Sequence, residues 1–145
     1  MNSDSNKLLQ DRIYLLLAGI FIASLISSNL IFQKFFFWTP FAFLASPDSG
    51  NWLSWLSEYT FELSVGILPY PITFLVTDII SEIYGREKAN RVVMVGFISS
   101  IFIMGVVMVG DMVSATQWSP VDDSVFHRVF GLFGPAVFAS MTAYI

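Results

Sequence analysis

The chain has 145 residues, of which 55% are hydrophobic and only 12% charged, with a mean hydropathy of +0.69. Soluble domains carry about 25% charged residues, so this chain lacks the material for a polar shell. The formal net charge is −4 and no basic patch points to direct contact with nucleic acid. There is no cysteine and a single histidine, His127, which excludes disulfides, thiolate chemistry and a histidine-rich metal site.

The apolar residues fall in long blocks, not at amphipathic spacing, which makes lipid the solvent. The predicted class is an all-α polytopic transmembrane bundle with about four spans: 13–33, 63–84, 92–111 and 125–145. The first block carries no charge before Lys34 and follows Lys7, Asp11 and Arg12. It exceeds the roughly 7–15 residues of a signal-peptide core. Lys34 to Glu62 reads as a long connection with a short helix or re-entrant piece on the membrane. Turn chemistry gathers at Pro47 to Gly50, and Trp52, Trp55 and Tyr59 suit the headgroup level.

The second block contains Pro69 and Pro71, each of which removes a backbone donor, so a break or kink is expected near Leu68 to Pro71. Asp78 and Glu82 lie in its second half, and Gly85 to Arg91 reads as a short charged loop. The third block ends at Asp111, and a polar loop with Trp118 and Pro120 leads to the fourth. The apolar run is still unfinished at Ile145, which predicts the N-terminal part of a longer protein. Alternating spans put Lys7, Arg12, Arg86, Lys88 and Arg91 on one side and Lys34 and Arg128 on the other. The positive-inside rule then predicts a cytoplasmic N-terminus, in the cytoplasmic (inner) membrane.

Few residues are left to carry chemistry. Asp78 and Glu82, spaced i, i+4, share a helix face, and an ionised acid facing lipid costs several kcal/mol. They fit a substrate or proton site; the plainer alternative is an acid pair answering Arg86, Lys88 or Arg91. Breaking a helix at Pro69–Tyr70–Pro71 frees backbone groups where transporters bind substrate, or is a plain kink. Asn29 offers donors and acceptors to a ligand, whereas Ser24, Ser27 and Ser28 suit helix–helix packing and hydrogen bonds. Such small-residue pairs also allow a homo-oligomer. Lys34 can close a site or snorkel to the headgroups, and His127 with Arg128 suits interface anchoring. No Walker loop, dinucleotide fingerprint or hydrolase motif occurs, so no enzyme activity and no cofactor are expected.

The tract P-x-T-F-L-x-T-D-x-x-x-E-x-Y-G, here Pro71 to Gly85, resembles the hallmark of the queuosine precursor transporters, within the vitamin uptake transporter group. Ser27 to Lys34 (SSNLIFQK) resembles the first-helix pattern of that family, and Phe130 to Ile145 resembles the start of its fourth conserved region. The resemblance implies a six-span importer of 7-deazaguanine precursors, the 7-cyano and 7-aminomethyl forms, supporting tRNA modification. Its motif covers Asn29, Lys34, Pro69, Pro71, Thr73, Asp78, Glu82, Tyr84 and Gly85. A deazaguanine presents N1–H beside an exocyclic amine, a donor pair that a carboxylate accepts in a bidentate way. The expected substrate-binding set is Asp78, Glu82, Asn29, Tyr70, Phe74 and Thr73, between the first two spans and with no metal. The alternatives are the substrate-binding component of an energy-coupling vitamin transporter, and a structural subunit that transports nothing.

Overall fold

In the computed structural model, which describes residues 3–42 and 58–142, the chain is helical apart from one small ribbon. Helix α1 is Ser3–Ile31, and the antiparallel strands β1 (Phe35–Trp38) and β2 (Phe61–Ser64) follow. A 3-10 turn, Val65–Ile67, leads into α2 (Tyr70–Tyr84), which is followed by α3 (Arg86–Met112), α4 (Asp123–Phe130) and α5 (Phe133–Thr142). Three segments are long and apolar enough to cross a membrane: Ser5–Ile31, Val65–Tyr84 and Arg86–Met112.

These three pack against one another around Phe21, Leu25, Val76, Ile80, Ala89 and Val92. Apolar burial drives little association in lipid, so close backbone approach must supply much of the adhesion. Gly96 shows how: a Cβ there would sit 2.7 Å from Phe21 Cε1 and 3.1 Å from Leu25 Cδ2. Gly66 is tighter, because a Cβ would lie 2.6 Å from the Ser28 carbonyl oxygen and 2.9 Å from Phe32 Cβ.

The end of the bundle that carries the N-terminal stretch, the near end, is fastened by aromatic residues. Tyr84 donates its hydroxyl to the Gln10 carbonyl at 2.9 Å, and Tyr14 donates to the Lys88 carbonyl at 3.2 Å. The Lys88 ammonium stands 5.1 Å from the centroids of both tyrosine rings, so all three helices meet there. At the far end the ties are hydroxyl to carbonyl. Ser28 donates to the Gly66 carbonyl and Ser64 to the Phe32 carbonyl.

Two expectations change, on the charged loop and on the fourth span. The two ends of the connection after α1 form a two-stranded ribbon that was not expected, pairing Phe35 with Ser64 and Trp38 with Phe61, and the expected interfacial helix or re-entrant piece between them falls on residues 43–57. The ribbon's apolar, aromatic strand residues pair readily once the chain turns back on itself. The rest of that connection, residues 43–57, lies outside the described residues, as do the turn at Pro47 to Gly50 and Trp52 and Trp55. The break expected near Leu68 to Pro71 is present: Leu68 and Pro69 separate the 3-10 turn from α2 inside the span Val65–Tyr84. Pro69 is the N-cap of α2 and Pro71 sits in its first turn, where a missing N–H leaves no bond unmade. The charged stretch after Gly85 is no loop: Arg86 to Arg91 are the first turns of α3, and Gly85 alone joins the two helices. Its φ of 87° is one that glycine adopts without a steric penalty. The fourth predicted span is split into α4 and α5 at Gly131 and Leu132. Glycine at 131 and the Gly134–Pro135 pair both disfavour a continuous helix, and Pro135 is instead accommodated early in α5.

Candidate functional site

Helix α2 presents two chemically distinct faces. Thr73, Val76 and Ile80 are buried against the bundle. Residues Phe74, Asp78 and Glu82 recur every fourth position on the opposite side and are exposed. Tyr70, half-buried, heads the same row, with its ring 5.2 Å from that of Phe74 and nearly perpendicular to it. Two aromatic rings and then two carboxylates therefore line one stripe, with successive members about 6 Å apart along the axis.

The carboxylates have no internal explanation. Among the described residues neither Asp78 nor Glu82 makes an ion pair or a hydrogen bond. Of the basic residues that would neutralise them, Lys88 lies over the tyrosine rings and Arg91 pairs with Glu87 at 3.9 Å, while Arg86 makes no ion pair with either acid among the described residues. The structure does not support an acid pair that merely answers the basic turn beside it. An ionised carboxylate two turns inside a span is stable only against a polar cavity, a polar ligand or a charged partner.

The other expected site residues lie elsewhere. Thr73 is fully buried, donates to the Tyr70 carbonyl and faces the bundle core. Asn29 is 6% exposed on α1, and its Nδ2 has no hydrogen-bond partner among the described residues. The structure thus brings Tyr70, Phe74, Asp78 and Glu82 together and separates them from Asn29 and Thr73 by the thickness of α2. The serines of α1 divide as packing predicts, with Ser28 bonded to Gly66 across the helix interface and Ser27 exposed. Ser100, fully buried on α3 with an unpartnered Oγ, was not singled out from the sequence. Its signal there was a Ser–Ser pair inside an apolar block, of which Ser99 only bonds back to Val95. Among the described residues no three His, Asp or Glu side chains are grouped to hold a metal.

The family model described as "Putative vitamin uptake transporter" matches residues 64–145, which take in the whole of α2, α3 and α4. The chain belongs to this family. No curated protein and no solved structure matches it. Membership makes it a multi-pass membrane protein of an uptake-transporter family, and places the acidic stripe within the matched region.

Proposed function

We propose that this vitamin uptake transporter family member imports 7-deazaguanine precursors of queuosine, and that the stripe on α2 is where the base is read. The observation that carries the reading is the pair Asp78 and Glu82, unpaired on an open face of a spanning helix and one turn below two aromatic rings. Phe74 or Tyr70 stacks on the bicyclic ring. The Asp78 carboxylate accepts N1–H and the exocyclic amine together, an arrangement that a neutral amide cannot reproduce. Glu82, one turn further on, faces the aminomethyl cation of the charged precursor or carries a proton. Asn29 and Thr73, behind α2, act on helix packing in this conformation and not on the ligand.

The charge distribution favours an orientation with Arg86, Lys88 and Arg91 on the cytoplasmic side of the inner membrane and the N-terminus beside them. The test is uptake of labelled 7-cyano-7-deazaguanine by cells that cannot make it, with queuosine in tRNA as the output. Asp78→Asn is expected to abolish uptake while inserting normally. Full activity in that variant overturns the assignment of Asp78.

A further inference from the structure

Two basic residues lie at the far end of the bundle, Lys34 and Arg128, and they come from distant parts of the chain. The structure brings them to one crevice of about 660 Å³ between the end of α1 and α4. Leu30, Ile31, Val129 and Phe130 form its wall. Gln33 donates Nε2 to the Val129 carbonyl at 2.8 Å, which ties α4 to the end of α1. Both basic side chains are exposed, and among the described residues neither makes an ion pair.

From this geometry we infer that the crevice is a binding site for an anionic phospholipid, with its phosphate between Lys34 and Arg128 and an acyl chain along the apolar wall. This inference is independent of the transport reading. Its place in the membrane supports it, because Ile31 ends the first spanning segment and the crevice opens where hydrocarbon meets headgroups. A soluble anion would use the cations and leave the wall unused, whereas a phospholipid uses both. Two helix C-termini, at Ile31 and Phe130, lie close by and could be thought to consume the positive charge. Each amounts to about half a negative charge, which leaves roughly one positive charge for a ligand. Asp122 feels Arg128 only as the smallest of the influences on its carboxyl. It stands at the opposite end of α4, where its carboxylate accepts from the Val125 N–H at 2.7 Å and the Ser124 hydroxyl at 2.8 Å.

The test is native mass spectrometry of the full chain in detergent, titrated with phosphatidylglycerol, phosphatidylcholine or inorganic phosphate. Phosphatidylglycerol is expected to be retained over phosphatidylcholine. The preference should fall about fivefold in Lys34→Gln or Arg128→Gln, and about 30-fold in the double variant. The charge-conserving pair Lys34→Arg with Arg128→Lys should keep it, which separates lost charge from lost folding. Three results each overturn the inference: no preference in the unaltered protein, an undiminished preference in the folded double Gln variant, or loss in the charge-conserving pair. Displacement of the lipid by millimolar inorganic phosphate overturns it too, since the site would then take a soluble anion.

Discussion

Replacing Gly66 by alanine tests the contact that closes the far end of the bundle. The added Cβ would meet the Ser28 carbonyl oxygen at 2.6 Å, Phe32 Cβ at 2.9 Å and Phe32 Cα at 3.0 Å. Two of these are backbone atoms and the third is a Cβ, so no rotamer change relieves the overlap and α1 must move away from the 3-10 turn. Overpacking of this kind costs about 1–3 kcal/mol. The movement also strains the bond from Ser28 to the Gly66 carbonyl, and an interhelical hydrogen bond in a membrane is worth about 0.6 kcal/mol. The expected loss is therefore about 2–4 kcal/mol. The control is Gly105→Ala, where nothing lies within 4 Å of the new Cβ and alanine in a helix gains up to about 1 kcal/mol. Unfolding in mixed micelles by sodium dodecyl sulfate, followed by circular dichroism, measures both variants. If Gly66→Ala unfolds at the same or a higher detergent fraction than Gly105→Ala, the close approach of α1 to the 3-10 turn is wrong.

Because the chain has no native cysteine, single cysteines report accessibility cleanly. A water-soluble thiosulfonate is expected to modify Asp78→Cys and Glu82→Cys in membranes and to spare Thr73→Cys; equal labelling at the three positions would refute the two-faced reading of α2. Asp122 caps α4, and its pKa is lowered chiefly by the Val125 N–H and then by the Ser124 hydroxyl. A depressed carboxylate pKa stabilises the folded form above the ordinary carboxylate range, and that contribution is lost as pH falls from there through the lowered folded-state value. Protection factors across α4, corrected for the intrinsic pH dependence of amide exchange, should therefore fall in acid, and Asp122→Ala should show reduced protection at every pH without that acid dependence. Unchanged exchange in that variant would show that the cap does not hold α4.

The long apolar blocks were legible in the sequence because lipid demands a continuous run of about 20 apolar residues, and that demand holds whatever the neighbours do. Tyr70, Phe74, Asp78 and Glu82 were legible for a related reason: a period of four places them on one face before any partner is known. Which way that face points was not. Asn29 and Thr73 were grouped with the acids by residue type and by resemblance, but facing is set by packing, and Val76 and Ile80 turn the other side of α2 inward. The boundaries failed where local rules compete. Arg86 to Arg91 look like a loop by charge, yet Arg, Glu, Lys and Ala are good helix formers, and one glycine suffices for the turn. The ribbon was hidden because Phe35–Trp38 and Phe61–Ser64 lie far apart in sequence and neither shows a hairpin turn of its own. The same holds for the meeting of Lys34 with Arg128.

The contrast between the two ends of the bundle sets where the molecule can give. A single-residue joint at Gly85, two tyrosine hydroxyls on neighbouring carbonyls and one ammonium shared by two rings make the near end a pivot. The far end is held by two serine hydroxyls on carbonyls and by the close approach of Gly66 to α1, without the ring-and-ammonium cluster of the near end. Any rocking of α2 against α1 therefore has its largest amplitude beside Gly66 and its smallest beside Tyr84. The Tyr70–Phe74 end of the stripe would sweep further than Glu82, so the aromatic rings would loosen from a ligand before the carboxylates do.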